Sequence, residues 1–146
     1  MDYSPTFAIS AAGMALERTR VEVAALNLAN AHTTPTAGRL AYSPLRVVAQ
    51  AAAPDPFAAM MLSAEAVGPA MKPDFQVEPS GVAARMVHEP GHPMADARGF
   101  VSYPGVDPAA EMVALMSATR AYEANVAAMN ATRTMALKAL DIGGSM

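Results

Sequence analysis

Proline placement constrains this chain more than any other feature. Twelve prolines occur in 146 residues. Pro5 stands alone near the start and the other eleven lie between Pro35 and Pro108, so the stretches 6–34 and 109–146 contain none. A proline inside a helix removes a backbone hydrogen bond and clashes with the turn before it. Two proline-free ends around a proline-rich middle therefore predict two long terminal helices flanking a turn-rich insertion. The expected fold is mainly α. Its divisions are an N-terminal helix in residues 1–34, an irregular middle with short strands in 35–106, and a long C-terminal helix in 107–146.

The C-terminal helix carries its own start signal. Asp107 can cap it, its carboxylate accepting the first free N–H groups at the positive end of the helix dipole. Pro108 suits the first helical position, where no N–H is needed. Gly143 and Gly144 are expected to close the helix in left-handed geometry. About 35 residues at 1.5 Å each give about 50 Å of helix, far beyond the usual 11–12 residues. Along it runs a row spaced by three and four: Met112, Leu115, Thr119, Tyr122, Val126, Met129, Arg133, Ala136 and Leu140. All but Thr119 and Arg133 are apolar. Such a seam predicts pairing with another helix along its length, either in an ordinary bundle or between chains.

The N-terminal helix is expected from about Pro5 to about Asn30, with Ser4 as its cap. Its seam is Ile9, Ala12, Leu16, Thr19, Val23 and Leu26, and a second row, Phe7, Met14, Val21 and Leu28, repeats every seven residues. Two apolar stripes on one helix predict more than one neighbour. Hydrophobic residues make up 53% of the chain, but 34 residues are Ala and only 5% are aromatic. Alanine favours helix and lets helices approach closely, yet it supplies little for a heavy core. With one other convincing helix in the chain, neighbours from other molecules are the better expectation. Asn27, Asn30, Asn125 and Asn130 lie on or near these helices, either bonding across helices to fix register or facing solvent. The helix leaves through Asn27-Leu28-Ala29-Asn30-Ala31-His32, and Pro35 forbids continuation.

In the middle, Arg46, Val47 and Val48 are the best strand candidates, followed by Phe75–Val77 and Val82–Val87 around Pro79-Ser80-Gly81. Phe57–Val67 is a candidate short helix. Residues 89–106 are punctuated by Gly and Pro and are expected to be loop.

Composition excludes several functions. The net charge is −3, from 10 basic and 13 acidic residues, without the basic cluster a nucleic-acid footprint needs. The absence of cysteine removes disulfides, thiolate metal sites and cysteine nucleophiles. No run is long and apolar enough to span a bilayer, so no direct membrane insertion is expected. Asp2 and the lack of a basic n-region argue against a cleaved secretory signal. One string, His88-Glu89-Pro90-Gly91-His92, matches the H-E-x-x-H pattern of zinc proteases. That chemistry needs a helix to put both imidazoles on one face, and Pro90 denies it. The segment reads as a tight turn, and a zinc hydrolase is the weakest alternative. His32 reads as a solvated or capping residue at the helix exit, and Asp96 and Arg98 as a surface pair of little energetic weight. No cofactor, metal or enzymatic activity is expected.

Three blocks carry a family resemblance: Ser10-Ala11-Ala12-Gly13-Met14 with Ala25-Leu26-Asn27-Leu28-Ala29-Asn30-Ala31; Val87 to Val101, including His88-Glu89-Pro90-Gly91-His92-Pro93; and Gly105-Val106-Asp107 through Arg120-Ala121-Tyr122-Glu123-Ala124-Asn125 to Gly143. Together they cover rather more than half the chain, and it resembles the bacterial flagellar basal-body rod proteins of the FlgC type. Residues 51–86 match poorly. The resemblance implies N- and C-terminal helices paired as a coiled coil, many of which pack into a helical tube that crosses the periplasm and passes motor torque. It places assembly on Ile9, Leu16, Val23, Leu26, Asn27, Asn30, Met112, Leu115, Tyr122, Val126, Met129, Asn130 and Leu140. It implies a place in the proximal rod and export through the flagellar type III channel without a cleaved signal. The implied partners are other rod proteins, copies of the chain, and components of the membrane ring and export apparatus. A coiled-coil adaptor outside motility is the competing reading.

Overall fold

The structure is a computed structural model that describes residues 4–35, 41–50 and 74–144. Helix α1 spans Ser4–Asn30, and helix α2 spans Pro108–Gly144. Between them lie four strands: β1 at Leu45–Gln50, β2 at Asp74–Pro79, β3 at Arg85–His88 and β4 at Phe100–Tyr103. The molecule is thus mainly helical with a small strand-bearing middle. The candidate helix at Phe57–Val67 lies outside the described residues.

Both helix boundaries follow from local chemistry. Asp107 Oδ1 accepts the N–H of Ala109 at 3.0 Å, and its carbonyl accepts that of Glu111 at 3.0 Å. The first bond satisfies one of the donors a helix start leaves free, and the second opens the helical ladder. Helix α1 ends where Thr33 bonds back to Asn30 O through both its N–H, at 3.1 Å, and its hydroxyl, at 2.8 Å. Asn30 Nδ2 donates to Leu26 O at 2.8 Å, occupying another terminal carbonyl. Gly143 does not close α2 as expected. It continues the helix, and the left-handed glycines among the described residues are Gly81, with φ 69°, and Gly99, with φ 79°.

The strands form two two-stranded sheets, β1 with β2 and β3 with β4. The segments on either side of Pro79-Ser80-Gly81 therefore belong to different sheets. An exposed ion pair, Arg46 to Glu78 at 3.6 Å, links β1 and β2. Strand β4 corrects the expectation of loop throughout 89–106. Its pairing with β3 is antiparallel, setting Arg85 opposite Tyr103, Met86 opposite Ser102, Val87 opposite Val101 and His88 opposite Phe100. Alternation puts Val87, Val101 and Tyr103 on one face and Met86, His88 and Phe100 on the other. The first face is the covered one: Val101 is fully buried and Tyr103 nearly so, while Met86 is exposed. Gly and Pro concealed this strand because they shape the long turn before it.

That turn is organised by Asp96. Its Oδ1 accepts the N–H of Arg98 at 2.8 Å and of Phe100 at 2.9 Å. The Asp96 carboxylate thus serves Arg98 through the backbone amide. Gly99 sits left-handed at the end of the turn, where an added Cβ would meet Pro90 Cβ at 3.1 Å and His88 Nε2 at 3.2 Å.

The chain divides into two compact units. One comprises Met1–Arg18, Ala49–Gln76 and Thr119–Met146, and the other Thr19–Val48 and Val77–Ala118. Each long helix contributes to both.

Candidate assembly surface

Within the second unit, Asn27 is the central polar group. It is only 1% exposed, and its amide uses its full bonding capacity. Nδ2 donates to Leu45 O and to Glu111 Oε1, each at 2.9 Å. Oδ1 accepts from the Tyr42 hydroxyl at 2.8 Å and from Leu45 N–H at 2.9 Å. One side chain thereby ties the last turn of α1 to the start of β1 and to the first turn of α2. Glu111 also lies where the α2 dipole favours negative charge. Burial, and then the charge of Glu111, push the Tyr42 hydroxyl pKa above its usual value.

The β3–β4 hairpin belongs to the same unit. The Tyr103 hydroxyl donates to Glu89 Oε2 at 3.0 Å. Desolvation, then this hydrogen bond and the Glu89 charge, raise the Tyr103 pKa. The imidazole of His32 meets the Tyr103 ring edge-on at 6.2 Å, that of His92 meets it at 6.4 Å, and His88 meets Phe100 at 5.0 Å. The H-E-x-x-H string thus runs from strand into turn, its histidines directed at aromatic rings. Among the described residues no group of three or more His, Cys, Asp or Glu is arranged to hold a metal. Gly105 forms a three-residue turn, with Val106 N–H bonded to Pro104 O at 2.8 Å. A Cβ added there would collide with Ala83 O and Val82 Cγ1, leaving no room for a side chain.

In the first unit the helices approach closely at Gly13. A Cβ there would lie 2.9 Å from Asn125 Nδ2 and 3.0 Å from its Oδ1. The glycine makes the space that Asn125 occupies.

Burial along both helices shows which rows are covered. On α1 the buried positions Ser10, Glu17 and Ala24 recur every seven residues, with Asn27 and the half-buried Gly13 in the same stripe, and buried Ala31 keeps the spacing one residue past the helix end. On α2 the covered row is Glu111, Ala118, Asn125 and Thr132, again every seven, with Ala118 and Thr132 buried. Thr132 satisfies its hydroxyl on its own helix, bonding Ala128 O at 3.0 Å. Both covered rows are small or polar. Each lies one residue from the apolar row that the sequence displays.

The sequence-derived assembly residues consequently divide. Val23 and Asn27 are buried. Leu16, Asn30, Leu115, Val126 and Met129 are half-buried, while Ile9, Leu26, Met112, Tyr122, Asn130 and Leu140 are exposed. Met116, Met135, Leu137 and Ile142 extend the exposed apolar surface of α2. Sequence reasoning missed Gly13, Tyr42, Glu111 and Ala118. Glu111 and Ala118 had a signal in the seven-residue spacing of small and polar types on α2, which a search for apolar periodicity passes over, whereas Tyr42, in the segment between α1 and β1, had none.

Two long helices that cover rows of small and polar side chains and leave many of their large apolar ones exposed belong to the class of structural assembly subunits. The family model described as flagellar basal body rod FlgEFG protein C-terminal matches residues 97–142, from the end of the hairpin turn through most of α2. The flagellar basal-body rod protein FlgC of Salmonella typhimurium is 38% identical over 138 residues, spanning 94% of this chain and 95% of that protein. The protein of the same name from Bacillus subtilis is 36% identical over 152 residues, spanning 92% and 94%. That from Aquifex aeolicus is 30% identical over 138 residues, spanning 91% of each. The chain belongs to the FlgC family of flagellar basal-body rod proteins.

Proposed function

We propose that this chain is a structural subunit of the proximal part of the flagellar rod, joining a helical tube that crosses the periplasm and transmits motor torque. Helices α1 and α2 pair antiparallel within the subunit, and their exposed apolar rows contact neighbouring subunits. Those neighbours are other rod proteins and copies of the chain, with the membrane ring and export apparatus at the base. The subunit leaves the cell by the flagellar type III route without a cleaved signal.

The observation that carries this reading is the outward placement of Ile9, Leu26, Met112, Met116 and Leu140, each at least half exposed. Single exposed apolar residues are ordinary, but rows of them along helices mark an interaction surface. Antiparallel pairing is supported by the matching separation of the two close approaches: fourteen residues from Gly13 to Asn27, and fourteen from Glu111 to Asn125. A contact between unlike surfaces whose rotation does not close generates a filament, as a rod requires.

The test is electron microscopy of basal bodies from cells lacking the protein, with a swimming assay. Loss of rod and hook is expected. Intact basal bodies would instead favour an adaptor outside motility. Leu16→Asp and Val126→Asp, at half-buried positions, are expected to abolish rod incorporation while the hairpin unit keeps its fold. Ile9→Asp should do so with both units folded, because that residue is already more than half exposed.

A further inference from the structure

The two edges of the β3–β4 hairpin are not alike. Glu89 N–H bonds Gly99 O at 2.8 Å, and every second residue of an antiparallel strand turns its backbone groups the same way. Arg85 and Val87 therefore turn theirs toward β4, while Met86 and His88 turn theirs outward. On β4 the outward residue Phe100 is closed by Asp96, whose Oδ1 accepts the Phe100 N–H at 2.9 Å and whose own N–H donates to Phe100 O at 2.8 Å. Along β3, no third strand joins the sheet among the described residues, and Arg85, Met86 and His88 are exposed. An open strand edge is a template for another strand.

We infer that β3 pairs with β3 of a second copy of this chain, antiparallel about a two-fold axis at Val87. The strand is self-complementary in that register. Met86 falls opposite His88 of the second copy and His88 opposite its Met86, each pair exchanging both backbone hydrogen bonds. Arg85 falls opposite Glu89 of the second copy, and Glu89 opposite its Arg85, so opposite charges face each other at both ends. Glu89 already accepts the Tyr103 hydroxyl at Oε2, and a carboxylate has acceptor capacity to spare. Moving the axis to Met86 would set Arg85 against Val87, and moving it to His88 would set Met86 against Pro90, which has no N–H. A two-fold contact is closed and cannot propagate a filament. Under the rod reading the pair is thus a form of the unassembled chain that parts on incorporation, but the contact itself does not depend on that reading.

The first test needs no substitution. Amide exchange of the purified full chain is followed by NMR from micromolar to millimolar concentration. The Met86 and His88 amides are expected to slow by about tenfold or more, and Val87 to change little, because its N–H already faces β4. The chain has no cysteine, so Val87→Cys then reads the register. Its α-carbon would lie about 4.5 Å from that of the second copy's Val87, and oxidation is expected to give a disulfide homodimer. Met86→Cys, more exposed but facing His88, should give much less. Met86→Pro removes an outward N–H and leaves the ladder to β4 intact, and it should abolish the concentration dependence at His88. Exchange independent of concentration, a Met86→Cys homodimer exceeding that of Val87→Cys, or His88 protection that survives Met86→Pro would overturn the inference. So would protection found only in assembled basal bodies, which would give the edge to a strand of another protein. Failure of the rod reading has a separate signature, intact basal bodies in the deletion strain.

Discussion

Replacing Asn27 with Ala removes four hydrogen bonds at one buried position. At about 1 kcal/mol net for each, the upper figure is about 4 kcal/mol. Tyr42 and Glu111 are half-buried and can turn to water, which recovers part of it, and Ala restores about 0.5 kcal/mol of helix propensity. The two Leu45 backbone groups have no such freedom. The expected net loss is about 2–3 kcal/mol. In urea, with a slope of about 2 kcal/mol per molar, the unfolding midpoint should fall by about 1 M. Hydrogen exchange should show the Leu45 amide losing protection before the hairpin does. Asn27→Asp is the companion variant. It retains the acceptors for Tyr42 and Leu45 but sets a second carboxylate beside that of Glu111, so it should be less destabilised near pH 4, where carboxylates begin to protonate. A midpoint for Asn27→Ala unchanged within about 0.2 M, with Leu45 still protected, would refute the argument that this amide joins the three elements.

Further tests follow from other sites. Gly105→Ala should destabilise the hairpin unit by about 1–3 kcal/mol, because a methyl group meets Ala83 O and forces the backbone apart; denaturant unfolding measures it. The raised pKa values of Tyr42 and Tyr103 mean that folding favours their neutral forms. Stability from these groups is complete below about pH 10 and is lost as pH rises through their folded values. A tyrosinate absorbance titration should show late ionisation, and Glu89→Gln should bring Tyr103 back toward its ordinary range. Peroxide should convert the exposed Met112 and Met116 to sulfoxides in the free chain, placing polar groups on an apolar row. Mass spectrometry should find them protected in assembled rods, and Met112→Leu with Met116→Leu should make assembly resistant to the oxidant.

Much of this architecture was legible in the residues. The proline-free ends gave both helices, Asp107 and Pro108 gave the start of α2, and Arg46 to Val48 marked β1. What was hidden has physical reasons. Apolar periodicity locates the rows that gain most from leaving water, but it does not say which molecule covers them. Inside the subunit, close approach selects Gly13 for size, burial falls on the small Ala24 and Ala118, and Asn27 and Glu111 are joined by hydrogen bonding, so the covered rows look unremarkable in a hydrophobic pattern. Strand β4 escaped because Gly99 and Pro104 bracket it as loop punctuation, while its own four residues carry too short an alternation. In the zinc-like string Pro90 already denies the helix, and the ring contacts of His88 with Phe100 and of His92 with Tyr103 show what those side chains meet instead.

On the pairing of α1 and α2 proposed above, the small and polar side chains of their covered rows have a mechanical consequence. Burying a methyl or hydroxymethyl group yields far less than burying a leucine, which is worth about 1.5–3 kcal/mol. Sliding or separating α1 from α2 within one subunit therefore takes comparatively little work. In an assembly that buries Ile9, Met112, Met116 and Leu140 between copies, the joints between subunits would resist load more strongly than the pair inside each. Such a shaft would have its compliance distributed through its building blocks, each yielding slightly under torsion while the seams between them hold.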